Sequence, residues 1–213
     1  MARAISDYSK VQAVIGFLVR GRRWLQPRPP SKEYLNVGCG PYPHRDFINV
    51  DWNWRPDIEL CWDITKPMPL ADEALRGIYS EHCLQDISLD VCRSVLREFW
   101  RMLKKHGIVR LVLPDAEIYL DLYQRQKTGE AVQFPYAEPN NPNLATPMMN
   151  VNRAFRHNGE LLFAYDFETL AHLAREAGFS EVSQVAFGEG RDSVLLIDNA
   201  YRAIESLYAE ATK

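Results

Sequence analysis

The feature that most constrains this chain is a junction between a short strand and a glycine turn. Tyr34-Leu35-Asn36-Val37 reads as a strand and runs directly into Gly38-Cys39-Gly40. Glycines at a strand end allow a tight turn and a close approach of backbone to ligand, and open α/β sheets bind nucleotides there. The chain beyond the junction alternates as such a sheet requires. Residues 47–50, 58–62 and 77–80 read as further short strands, and 108–113 is the clearest strand, stopped by Pro114. Before it, Val91, Val95, Leu96, Phe99, Trp100 and Leu103 share one helical face, with His106-Gly107 as the closing turn. This succession predicts a mainly parallel sheet.

Around that centre, the spacing predicts a helix over 8–24 ended by Gly21, then a Pro-rich linker up to residue 30. Residues 1–30 are therefore set apart from a single domain over 31–213. Residues 115–127 read as a helix, and 128–150, rich in Pro and Asn, as an irregular segment within an insertion reaching about 157. A helix over 167–177 follows, with Asp166 as its N-cap and Gly178 as its stop. Residues 182–187 and 193–197 read as strands, and a C-terminal helix is expected from about Ala200.

Composition narrows the partners. A length of 213 residues suits one α/β domain, and a net charge of -3 gives no electrostatic reason to expect nucleic acid. Cys39, Cys61, Cys83 and Cys92 form no C-x-x-C pair and no zinc-ligand spacing, so a reducing compartment and no structural metal are expected. No stretch has the roughly 18 apolar residues of a membrane span. A cytoplasmic protein is the expectation.

The glycine turn has a restricted ligand chemistry. A dinucleotide fingerprint wants a third Gly or Ala three residues after Gly40, and Pro43 stands there; no G-x-x-x-x-G-K-[ST] loop is present either. A tight turn without a pyrophosphate cradle suits an adenosine ligand without phosphates. Asp51 ends the second strand, where a carboxylate accepts from both ribose hydroxyls. Asp63-Ile64 ends the third, where a carboxylate accepts from an adenine amino group. Trp52 and Trp54 flank Asp51 and are placed to cover the adenosine or to pack on neighbouring helices.

Five motifs stand in register: Leu-Asn-Val-Gly-Cys-Gly at 35–40, Asn-Val-Asp at 49–51, Trp-Asp-Ile at 62–64, Ile-Tyr-Ser-Glu-His at 78–82, and the run from Leu103 to Asp115. Together they resemble the class I S-adenosylmethionine-dependent methyltransferases of the type-11 kind, in particular a small bacterial subgroup. The tail motifs at 165–170, 176–179 and 205–208 extend the resemblance from about Glu33 to the C-terminus. It implies a Rossmann-like sheet of seven mostly parallel strands, the last antiparallel, with helices on both faces. It also implies S-adenosylmethionine as cofactor and S-adenosylhomocysteine as product. Gly38 and Gly40 would then lie against the methionine part, Asp51 on the ribose, and Asp63 and Ile64 at the adenine, with Asn36, Cys39 and Trp52 as further cofactor contacts. Ser80, Glu81 and His82 would lie near the sulfonium and the acceptor. One departure matters: only eleven positions separate Gly40 from Asp51, so the first crossover helix is shortened or replaced by a turn.

Methyl transfer is an in-line displacement that depends mainly on alignment and exclusion of water. His82 is the first candidate for a general base, and Asp86 and Asp115 are alternatives that would equally serve as helix caps. The segment 128–150, with Phe134, Tyr136, Met148 and Met149, is the expected lid over the acceptor. The N-terminal helix, apolar before an Arg-rich end, is open to packing on the domain, to a homodimer contact, or to a peripheral membrane contact. The expected function is methyl transfer to a small-molecule or sugar O or N acceptor. The alternative is a cofactor-binding or scaffold protein with reduced catalysis.

Overall fold

The computed structural model describes residues 10–26, 31–138 and 140–213. Positions 8 and 9 of the expected N-terminal helix and residues 27–30 of the expected linker lie outside them. Seven strands form one sheet in the order β3-β2-β1-β4-β5-β7-β6. They are β1 Tyr34–Val37, β2 Ile48–Asp51, β3 Leu60–Cys61, β4 Leu75–Glu81, β5 Leu103–Pro114, β6 Glu181–Val185 and β7 Ser206–Thr212. The first five run parallel, and β7 is antiparallel to both β5 and β6. The winding reverses between β1 and β4, so their C-terminal ends flank the crevice at which such sheets bind ligands.

One face of the sheet packs against two helices, α2 (Leu89–Met102) and α5 (Phe167–Glu176). Strand residues Leu35, Val37, Ile48, Val50, Leu60, Ile78 and Leu111 meet Val95, Leu96 and Phe99 of α2 and Leu170, Leu173 and Ala174 of α5. The helical spacing of those six residues is what turns each helix face to the sheet.

The opposite face is built differently. No helix joins β1 to β2; residues 38–47 return as a turn. Its backbone groups, which a helix would satisfy internally, find side-chain partners instead. Asn49 Oδ1 accepts from the His44 N–H at 2.8 Å, and Asn49 Nδ2 donates to the His44 and Phe47 carbonyls. Asn36 Nδ2 donates to the Tyr42 carbonyl at 3.2 Å. Beside this turn, α1 (Lys10–Val19) covers the β3 end of the face, where Val19 packs on Cys39, Ile58 and Cys61. Farther along, the β6–β7 connection, residues 186–205, lays Leu195 on Phe47, Tyr79, Val112 and Tyr208. A buried ion cluster pins it: Arg110, 0% exposed, donates to Asp198 at 2.8 and 2.5 Å and to Glu210 at 3.2 Å.

The C-terminal third departs from expectation. Residues 193–197 are not a strand but contain a 3-10 turn, Ser193–Leu195, started by Asp192 accepting from the Val194 N–H. The helix expected from Ala200 is a 3-10 turn, Ala200–Arg202, followed by β7. Ser-Leu-Tyr-Ala-Glu-Ala has no polar face to expose because both of its faces are buried between β5 and β6, with Glu210 opposite Arg110. The amphipathic helix ends at Met102, and β5 begins at Leu103. A further helix, α4 (Pro147–Arg156), starts inside the stretch expected to be irregular. Thr146 is its N-cap, and Pro147 opens its first turn, where a missing N–H costs nothing. The helices α3 (Ala116–Lys127) and α5 carry the expected caps, Asp115 and Asp166.

Candidate functional site

Gly38 and Gly40 both have left-handed backbone, with φ of 69° and 53°. The Gly38 and Cys39 N–H groups donate to the Val50 carbonyl, which holds the turn against the end of β2. Asp51 then ties the two strand ends together. Its Oδ2 accepts from the Gly40 N–H at 2.9 Å and its Oδ1 from the Asn53 N–H at 2.7 Å. A carboxylate oxygen has two lone pairs, so each keeps one acceptor position. The two glycines do different work. A Cβ on Gly38 would sit 2.5 Å from Cys83 Sγ, whereas a Cβ on Gly40 would meet nothing within 4 Å. Gly38 is thus packed on protein, and Gly40 borders open space.

The neighbours of the turn are mostly committed to holding it. Asn36 also donates to Asn49 Oδ1 at 3.3 Å and serves the loop scaffold. Burial pushes the Cys39 thiol pKa up, which leaves it inert. Trp52 is 41% exposed, but the Arg20 guanidinium lies 3.9 Å from its ring centroid, and Arg20 Nε donates to its carbonyl. Asp63 Oδ1 accepts from the backbone and hydroxyl of Thr65, a local Asx turn, while Ile64 packs on the main core.

The end of β4 and the turn after it hold part of the buried polar surplus. Val37 pairs with Ser80, which sets Ser80 beside the glycine turn. Ser80 Oγ and Gln85 Oε1 are buried without a hydrogen-bond partner among the described residues. Glu81 Oε1 accepts from the Asn199 N–H at 3.1 Å, and burial nevertheless raises its carboxyl pKa. His82 has φ 48° and its Nε2 lies 2.8 Å from Ser206 Oγ. Burial, reinforced by Arg202, pushes its pKa down to about 3, so the ring is neutral near pH 7. Asp115 is mainly a cap: its Oδ1 accepts from the Glu117 N–H, and burial raises its pKa. Asp86 closes the 3-10 turn Leu84–Asp86.

Ser206 and Gln85 were not among the residues picked out by sequence. Ser206 lies within 205–208, where a C-terminal helix is expected, and as part of β7 it instead turns its side chain to His82 just past β4. The described residues of the segment 128–157 are tied to α3 and to the chain before β7 by packing and hydrogen bonds. Phe134 packs on Tyr119, Val151 and Ala154; the Tyr119 hydroxyl donates to Glu205 at 2.5 Å; Arg153 donates to Tyr119 and to the Pro135 carbonyl. Met148, Met149 and His157 remain exposed. A cavity of about 500 Å³ lies at the other end of the strands, between Lys32, Glu33, Pro69 and Leu75, away from the glycine turn.

No family model matches the chain, and no curated protein does. Among solved structures, a protein of Bordetella parapertussis described as a possible exported protein superposes with a TM-score of 0.50 at 15% identity, over 90% of this chain and 65% of that one. A SAM-dependent methyltransferase of Archaeoglobus fulgidus gives a TM-score of 0.49 at 14% identity, over 95% and 94% of the two chains. One from Mesorhizobium loti gives 0.49 at 13% identity, over 90% and 95%. At these identities the likeness concerns the fold.

Proposed function

We propose that the chain is an S-adenosylmethionine-dependent methyltransferase acting on a small-molecule O or N acceptor. The observation that carries this reading is the Gly40 N–H held by Asp51 at the C-terminal ends of β1 and β2, beside the reversal of strand order. The residues fit the cofactor on two counts: open space adjoins Gly40, and Ser80 Oγ and Gln85 Oε1 are buried polar atoms awaiting partners. Asp51 would orient the ribose through its free lone pairs, Asp63 would meet the adenine, and Glu81 and Ser80 would meet the amino-acid end. When bound, the cofactor supplies a methyl group already activated on a sulfonium. The protein's share is then alignment. A neutral His82, held by Ser206, is suited to orienting an acceptor by hydrogen bond; its depressed pKa makes it a poor store for a proton.

Calorimetric titration with S-adenosylmethionine and S-adenosylhomocysteine tests the reading. Both should bind, and Asp51→Ala should weaken each by about 10- to 100-fold, the worth of a charge-assisted hydrogen bond. No binding by the native protein would defeat the proposal. The turn that replaces a helix between β1 and β2 also supports a second reading, a cofactor-binding protein with reduced turnover. Binding without release of S-adenosylhomocysteine across a panel of alcohol, sugar and amine acceptors would select it.

A further inference from the structure

We propose that α1 and the turn after it, residues 10–24, form an in-plane docking surface for an anionic lipid bilayer. The proposal does not rest on the methyltransferase reading. The helix meets the domain along a narrow side only: Gly16 is its buried residue, with Cys61 Sγ 3.9 Å from the Gly16 carbonyl. Val19 packs on Cys39, Ile58 and Cys61 at the helix end, but four other apolar residues point elsewhere. Val11, Val14, Phe17 and Leu18 are 67%, 59%, 72% and 52% exposed, and Trp24, just beyond, is 80% exposed. Positions 11, 14 and 18 follow helical spacing, and 17 lies one turn from 14, so these side chains make one stripe. A stripe of this kind ordinarily faces a core; here it faces away from it.

Charge selects the occupant. Residues 10–26 contain Lys10, Arg20, Arg22 and Arg23 and no Asp or Glu, on a chain whose net charge is -3. Arg20 and Arg22 are held by neutral groups: Arg20 by the Trp52 carbonyl and ring, Arg22 by the Phe17 and Leu18 carbonyls. Their positive charge is retained. A second copy docking on the same patch would set basic segment against basic segment, whereas anionic headgroups complement it. Ten residues of helix are about 15 Å long, far short of a span, so the helix lies in the interface with its apolar stripe down. Through Arg20 and Trp52 the same helix adjoins the end of β2, so docking would bring the glycine-turn edge close to the bilayer.

Co-sedimentation of the full chain with phosphatidylglycerol-containing vesicles, against pure phosphatidylcholine vesicles, tests this. Binding to the anionic vesicles is expected, weakening with added salt. Phe17→Ser with Trp24→Ser should lower the partition coefficient by about tenfold or more while leaving the melting temperature unchanged. Lys10→Gln with Arg22→Gln, which spares the apolar stripe, should lower it by about fivefold per charge and keeps the test decisive if the first variant misfolds. Absence of vesicle binding by the native chain, or unchanged binding by both variants, would overturn the proposal. So would equal binding to neutral vesicles. A dimer that the serine variant dissociates, with no vesicle binding, would assign the stripe to a second copy instead.

Discussion

Gly38→Ala isolates what the first glycine of the turn does. The new Cβ would lie 2.5 Å from Cys83 Sγ and 2.7 Å from Cys83 Cβ, on a backbone with φ 69°. The left-handed conformation costs a residue with a Cβ about 1–2 kcal/mol. Overpacking adds about 1–3 kcal/mol, for a total of about 2–5 kcal/mol. Gly40→Ala carries the conformational part alone, since φ is 53° and the Cβ enters open space. The gap between the two variants, about 1–3 kcal/mol, is therefore a property of Cys83. Urea denaturation without ligand reads it directly, and the melting temperature should fall by about 2–4 °C per kcal/mol for a chain of this size. Adding Cys83→Gly to Gly38→Ala should recover most of the packing part, a non-additivity of about 1–3 kcal/mol. Cofactor affinity should rank the other way, with Gly40→Ala the more damaging. Equal destabilisation by the two alanines, or no recovery with Cys83→Gly, would refute the division of labour.

Arg110→Met should lower stability by about 3–5 kcal/mol, read from the urea midpoint, because Asp198 would stay buried without its cation and Glu210 would keep only Arg191. His82→Gln bears on pH dependence. The native ring resists protonation down to about pH 3 while the unfolded ring takes a proton near pH 6.5, so stability falls as pH drops between those values, by at most about 1.4 kcal/mol per pH unit. The variant should flatten that limb of the stability curve. Glu81→Gln should raise the melting temperature at neutral pH, since burial raises this carboxyl above its unfolded pKa; the gain should vanish in acid, where both states are protonated. Tyr119→Phe removes the hydroxyl that links Glu205 to Arg153 and should speed proteolytic cleavage within residues 128–146; unchanged cleavage would show that α4 holds the insertion by other means.

The parts of the molecule legible in sequence are those whose periodicity has one cause. The strands around Val37, Val50, Ile78 and Leu111 alternate or run apolar because helices cover one face, and α2 shows its stripe because its other side meets water. β7 is illegible for the opposite reason. Both of its faces are covered, and the charge of Glu210, which in sequence reads as a solvent-facing helix residue, is cancelled by Arg110 one strand away. α4 was hidden by Pro147, which breaks a helix interior but begins one readily. At the candidate site, the meeting of Gly40 with Asp51 is legible because one follows and the other ends two neighbouring parallel strands. Ser206 reaches His82 and Asn199 reaches Glu81 across more than a hundred residues of chain, pairings that no local pattern encodes.

The position of β7 also bears on the order in which the chain can assemble. β6 is made first, yet its sole neighbour in the sheet is β7, which follows only after residues 186–205. Until then β6 has no strand to pair with, and the flank of β5 that will receive β7 stays an open edge with Val109 and Leu111 among its apolar residues. Closing a connection of this length costs only modest entropy, so the hairpin forms readily once β7 emerges from the ribosome. The vulnerable interval is the one before it, when an incomplete chain exposes a central strand. Carbonyls and amides of β5 are then available to a neighbouring nascent chain, and aggregation during synthesis competes with insertion of the last strand.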